Sequence, residues 1–64
     1  MERKYVLVAE FTYCKGMISN AKQTGENPNE YIKQAKRVIR KMRRIDSSLA
    51  VSFKLKLDRI IKGS

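Results

Sequence analysis

Residues 27–45 read Asn-Pro-Asn-Glu-Tyr-Ile-Lys-Gln-Ala-Lys-Arg-Val-Ile-Arg-Lys-Met-Arg-Arg-Ile, and the fold prediction starts from them. The first four residues are typical of a helix N-terminus. The asparagine can accept a hydrogen bond from a free backbone N–H, a proline at the first helical position needs no acceptor, and the glutamate three residues after the asparagine can complete a capping box. We therefore predict a helix over residues 28–45, ended by the polar residues 46–48.

The predicted helix separates apolar from basic side chains. At about 100° per residue, the apolar residues occupy one arc of roughly 140°; they are Tyr31, Ile32, Ala35, Val38, Ile39, Met42 and Ile45. The opposite arc, which we call the basic face, carries Lys33, Lys36, Arg37, Arg40, Lys41, Arg43 and Arg44. At 1.5 Å rise per residue this face would be roughly 17 Å long, which is enough to meet several phosphates of one strand.

The segments on either side of this helix alternate in the manner of β-strands. Residues 4–13 are rich in β-branched and aromatic types, and residues 49–57 place large apolar side chains at odd positions. Residues 17–19 could return as a second short strand, whereas the polar residues 20–27 predict a loop. The predicted fold class is α+β. It is a single small domain, strand(–strand)–helix–strand, with one amphipathic helix on a two- to three-stranded sheet whose strand order is left open.

Charge is distributed unevenly along the chain. Its 64 residues include 15 lysines and arginines against 6 acidic residues, which gives a net charge of +9. Residues 33–64 hold 11 of the basic and 2 of the acidic residues, so the whole excess lies in the second half. Such asymmetry predicts an acidic partner. Besides the basic face, we expect a smaller contact from the uncovered side of the predicted sheet, formed by Lys54 and Lys56.

The composition argues against an enzyme. The chain has no histidine and a single cysteine, Cys14, which we interpret as a small residue at a strand end. Its carboxylates form no short-range pair for acid–base work, and its glycines form no phosphate-binding pattern. We therefore predict no catalytic residue, no cofactor and no metal. One cysteine allows no internal disulfide, and no signal peptide is apparent, so the cytoplasm is the expected compartment.

Aromatic side chains allow two interpretations. They could form a base-stacking platform for single strands, but a helix with so wide an apolar arc needs a core to cover, so we expect Tyr5, Phe11, Tyr13 and Phe53 to be core residues. Apolar residues such as Val6 and Val8 would lie exposed on the other side of the predicted sheet. Two copies of the chain could pair through this surface, so a homodimer is a further possibility.

The density of like charge favours binding over mere solubility. Eight pairs on the basic face stand three or four residues apart, and at about 0.2–0.5 kcal/mol each their repulsion costs roughly 2–3 kcal/mol at low salt. We therefore predict a non-catalytic nucleic-acid-binding accessory or regulatory protein, of the kind a virus or mobile element encodes. RNA is favoured over DNA because the common DNA-reading motifs are absent. The alternative is an inhibitor or antitoxin that covers an acidic protein surface, and a membrane surface is less favoured.

Overall fold

A computed structural model describes residues 2–62, which form three α-helices. They are α1 (Glu2–Thr24), α2 (Asn29–Ile45) and α3 (Ser47–Ile61). α2 packs extensively against both other helices, which meet each other much less. Lys4, near the start of α1, pairs with Asp46 at the start of α3, and Lys22, near the end of α1, donates a hydrogen bond to the Ile60 carbonyl near the end of α3. α1 and α3 therefore run in the same direction, and α2 runs opposite to both.

The predicted α+β fold is wrong. No strand occurs in residues 2–62: residues 4–13 and 17–19 lie within α1, and residues 49–57 lie within α3. The alternation at odd positions of α3 does not describe one buried side, because Val51 and Leu55 are 59% and 62% exposed. Both α1 and α3 bury one apolar helical stripe against α2. The stability gained by this packing outweighs the β-propensity of the individual residues. A dimer formed through a sheet is excluded together with the sheet.

Helix α1 packs on the rest of the chain through one stripe of buried residues. The stripe runs through residues that we predicted to form two strands and a loop. Its buried residues repeat at spacings of four, three, four and three; they are Leu7, Phe11, Cys14, Ile18 and Ala21. The helix ends at Thr24, where Gly25 adopts a left-handed backbone with φ of 81°. Glu26 N–H then donates to the Ala21 carbonyl at 2.8 Å, which is the hydrogen bond of a Schellman cap. The polar segment predicted as a loop is therefore mostly helix.

Helix α2 begins one residue later than predicted and ends at Ile45. The predicted capping box of Asn27 and Glu30 does not form, because Pro28 is the N-cap residue and offers no side-chain acceptor. Asn27 Oδ1 instead accepts a hydrogen bond from Asn29 N–H at 3.0 Å. The apolar arc is mostly buried, at Ala35, Val38, Ile39 and Met42. Because these residues lie toward both neighbours, α2 forms the centre of the core.

Asp46 is the only residue between α2 and α3. Its backbone is extended, with φ of −152° and ψ of 93°, and its side chain accepts a hydrogen bond from Leu49 N–H at 3.1 Å. Asp46 therefore ends α2 and caps the N-terminus of α3, where an acceptor is favoured. The polar residues that we predicted to end one helix also begin the next.

The core joins the three helices through aromatic and aliphatic contacts. Phe11 of α1 and Phe53 of α3 stack with ring centroids 4.1 Å apart and planes within 2° of parallel. Ala50 and Leu57 of α3 are buried beside them. Over residues 2–62, no helix combines the length and the apolar character that crossing a membrane requires.

Candidate nucleic-acid interface

The basic face lies on the side of α2 that neither neighbouring helix covers. All seven of its lysines and arginines are exposed. Within the part of the chain whose side chains the structure describes, residues 4–62, none of them lies within 4.0 Å of a carboxylate. These cations therefore form no direct ion pair with a carboxylate of residues 4–62, and a polyanion can displace the solvent ions around them.

One edge of the basic face borders a groove between α2 and α3 of about 350 Å³. Ile39 and Leu57 supply its apolar surface. Its rim combines three cations of α2 with two charged residues of α3; these are Lys36, Arg40, Arg43, Lys54 and Asp58. Asp58 Oδ2 lies 3.4 Å from Lys54 Nζ. Four basic groups thus face one carboxylate around this groove, which we call the α2–α3 groove.

The other edge of the basic face borders a smaller groove between α1 and α2, of about 210 Å³. Its three cations, Lys33, Arg37 and Lys41, share the groove with Glu10 and Glu30. Three basic groups against two carboxylates leave this edge nearly neutral. The two edges of one helix face therefore differ in electrostatic potential, and the α2–α3 groove is the more favourable place for an anion.

The two lysines of α3 do not act together as predicted. Lys54 lies at the rim of the α2–α3 groove, whereas Lys56 is exposed and is not part of its lining. In a strand the two side chains would share a face, but in a helix a separation of two residues turns them about 160° apart. The remaining member of the basic face, Arg44, is exposed near the end of α2 and lines neither groove.

Sequence reasoning missed Asp58 and the meeting of Lys54 with the basic face. The signal was the spacing of four between Lys54 and Asp58, which is typical of an ion pair on a helix. It was masked by the alternation of residues 49–57, from which we predicted a strand.

The four aromatic residues that we predicted to lie in the core divide between core and surface. Phe11 and Phe53 are buried, as predicted, whereas Tyr5 and Tyr13 are exposed and the prediction was wrong for them. Tyr13 makes an edge contact with Tyr31, with ring centroids 6.4 Å apart. Neither Tyr5 nor Tyr13 lines either of the two grooves beside the basic face.

Cys14 is fully buried in the middle of α1, not at a strand end. Burial raises the pKa of its thiol above 9.0, and the nearby negative charge of Glu10 raises it further. A buried thiol with a raised pKa is a poor nucleophile and a poor metal ligand. Within the described residues, no three histidine, cysteine, aspartate or glutamate side chains come together as a metal site would require.

Comparison with known proteins does not identify a family for this chain. No family model, no curated protein and no solved structure matches the chain. The function proposed below therefore rests on the chain's own residues.

Proposed function

We propose that the chain is a non-catalytic nucleic-acid-binding protein that holds a phosphate backbone on the basic face of α2. The observation that carries this proposal is the set of seven exposed cations on one face, none of them within 4.0 Å of a carboxylate of residues 4–62. Their mutual repulsion weakens the free protein. A polyanion removes the repulsion and releases its own counterions, so binding gains from both sources.

The α2–α3 groove supports a more specific placement of the phosphates. Arg40 and Arg43 can each donate two parallel hydrogen bonds to a phosphate, while Lys36 and Lys54 act as point charges beside them. Asp58 holds Lys54 at the rim through the 3.4 Å contact. The strongest phosphate contacts are therefore expected at this groove, and weaker ones at the edge shared with Glu10 and Glu30.

RNA is the favoured nucleic acid, and binding through its backbone and shape is the favoured mode. The link between α2 and α3 is a single residue. Residues 25–28 join α1 to α2, but these two helices pack antiparallel along their length, whereas the helices of a DNA-reading helix-turn-helix cross at about 90–120°. The seven residues of the basic face are all lysines and arginines, which contact phosphates readily, and the amide of Gln34 lies only at the edge shared with Glu10 and Glu30. We therefore expect little dependence on base sequence and a strong dependence on salt.

A titration with three polyanions tests the proposal. Purified protein, treated with nuclease and freed of bound nucleic acid, is titrated against structured RNA, duplex DNA and anionic vesicles at two salt concentrations. The proposal expects salt-sensitive binding to nucleic acid, tightest for RNA. Failure to bind either nucleic acid at low salt would overturn it, and capture of one acidic protein after nuclease treatment would then favour the inhibitor alternative.

A further inference from the structure

The bottom of the α2–α3 groove is apolar, although its rim is strongly basic. Ile39 of α2 and Leu57 of α3 lie there and are only 6% and 2% exposed. The aliphatic stems of the rim lysines and arginines add to this apolar surface, because such side chains keep only their charged ends in water. A phosphate alone would use the charged ends and leave the apolar surface in contact with water. The groove therefore suits a ligand that joins a phosphate to an uncharged group.

The charges around the groove are divided unevenly between the two helices. Three cations, Lys36, Arg40 and Arg43, come from α2, whereas α3 supplies Lys54 and Asp58. Asp58 Oδ2 lies 3.4 Å from Lys54 Nζ, so these two charges largely offset each other. The α2 side therefore attracts a phosphate, and the α3 side, which is close to neutral, can accept an uncharged group. A nucleotide has this polarity, because its phosphate and its base lie at opposite ends of the sugar.

Arg40 and Arg43 can recognise both parts of a nucleotide. They stand three residues apart, so both belong to the same side of α2. The edge of a guanidinium group donates hydrogen bonds to a phosphate, while its flat face can stack on a base. Lysine offers no such face. The two arginines therefore distinguish this groove from a simple cluster of positive charge.

We propose that the α2–α3 groove receives one unpaired nucleotide of a structured RNA. At about 350 Å³ the groove is at the small end for ligand sites, which suits one nucleotide and not several. The bases of a fully paired helix are stacked inside it, so they cannot cover the apolar surface at Ile39 and Leu57. An unpaired base can leave the stack and lie against this surface and the guanidinium faces, with its phosphate on the α2 side. This inference rests on the proposed function and names the class of RNA.

Three RNA duplexes that differ at one position test the proposal. One is fully paired, one carries a bulged adenosine, and one carries an abasic bulge, which keeps the phosphate and the ribose but lacks the base. The full chain is titrated with each RNA at two salt concentrations. We expect the adenosine bulge to bind roughly five- to tenfold more tightly than either of the others, as weak stacking of one base would give. Added salt should weaken all three complexes but should not change the ratio between the two bulges, because both carry the same number of phosphates.

Two charge-conserving double variants locate the base. Arg40→Lys with Arg43→Lys keeps both positive charges but removes the two guanidinium groups of the groove. The preference for the adenosine bulge over the abasic bulge should then fall below about twofold. Arg37→Lys with Arg44→Lys makes the same change outside the groove and should keep the preference, whatever its overall affinity. All four residues are exposed, so both variants should fold.

Each contrary result overturns a different statement. Equal affinity for the three RNAs would overturn the unpaired nucleotide and leave nucleic-acid binding by the basic face standing. Equal affinity for the two bulges would also overturn it, since backbone distortion alone would then explain the binding. A preference that survives the loss of both Arg40 and Arg43 guanidinium groups would overturn the groove as its site. Failure to bind any of the three RNAs at low salt would overturn the proposed function and this inference with it.

Discussion

Asp46 Oδ2 lies 2.9 Å from Lys4 Nζ, so the residue that links α2 to α3 also holds the first turns of α1. The other oxygen of the same carboxylate, Oδ1, accepts the hydrogen bond from Leu49 N–H. The ion pair lowers the pKa of Asp46 below 3.8, and the backbone hydrogen bond of Leu49 lowers it further. The same contact raises the pKa of Lys4 above 10.5. One residue therefore contacts all three helices: Asp46 ends α2, caps α3 and pairs with Lys4 of α1.

Acid should destabilise the fold through Asp46. Because its folded pKa is lower than its ordinary 3.8, its contribution is present above that value and is lost as pH falls through the folded pKa. Asp46→Asn keeps an oxygen that can accept from Leu49 N–H but removes the charge. We expect it to lower Tm at neutral pH by a few degrees and to flatten the decline of Tm below about pH 4.

Asp46→Ala is the matched variant, since it removes both the ion pair and the cap. Its Tm at neutral pH should fall below that of Asp46→Asn, because α3 then starts without a side-chain acceptor. Lys4→Met removes the ion pair alone and should behave like Asp46→Asn. Equal Tm values for wild type and Asp46→Ala, measured by circular dichroism, would contradict this role.

Gly25 is the position at which the backbone requires glycine, because its φ is 81°. Gly25→Ala should lower the free energy of unfolding by about 1–2 kcal/mol, which is the strain of an L-residue in the left-handed region. Gly25→Asn should lose much less, because asparagine tolerates that region. Urea unfolding of the three proteins measures the difference, and an alanine variant as stable as wild type would show that this turn is not formed.

The basic face should destabilise the free protein at low salt. Arg40 stands three or four residues from four other cations of α2: Lys36, Arg37, Arg43 and Arg44. Arg40→Gln removes these four pairs with little change in helix propensity, and at low salt it should raise the free energy of unfolding by roughly 1–2 kcal/mol. Added salt should stabilise wild type more than this variant, because screening acts on the same repulsion. A wild-type Tm that does not change with salt would contradict this electrostatic cost.

The thiol of Cys14 should be protected in the folded protein, since the residue is fully buried and its pKa is raised. A thiol reagent at neutral pH should label the native chain at least a hundredfold more slowly than the urea-unfolded chain. The unfolded chain is the internal control, because it contains the same single cysteine. Comparable labelling rates in the two states would show that α1 does not pack as described.

The sequence predicted α2 closely because several local signals agreed there. The asparagine and proline at its start, the apolar arc and the opposite run of cations all indicated a helix over residues 28–45, and the structure has Asn29–Ile45. The seven cations of the predicted basic face are exposed as expected. The position of a candidate surface could therefore be found from periodicity alone.

The two neighbouring helices could not be found in the same way, because their local signals conflicted. Tyr, Val, Phe and Thr residues give residues 4–13 a strand-like composition, and the helical stripe becomes clear only when Cys14, Ile18 and Ala21 are included. In residues 49–57 the exposed Val51 and Leu55 complete a false alternation. Asp46 followed by two serines is equally a helix end and a helix start. Only packing against α2 decides between these local alternatives.

A comparison of two double variants tests whether the α2–α3 groove holds the phosphates of a bound nucleic acid. Lys36→Ala with Arg43→Ala removes one lysine and one arginine from the rim of the α2–α3 groove, and Arg37→Ala with Lys41→Ala removes the same two types from the opposite edge. Wild type and both variants are titrated with structured RNA at several salt concentrations.

We expect the groove variant to lose roughly tenfold in affinity at low salt. The slope of log K against log salt should also become shallower by about 1.4–1.8, the value for two lost phosphate contacts. The opposite-edge variant should lose clearly less on both measures. Equal losses would contradict the groove as the phosphate site, and unchanged affinity in both variants would contradict nucleic-acid binding by the basic face.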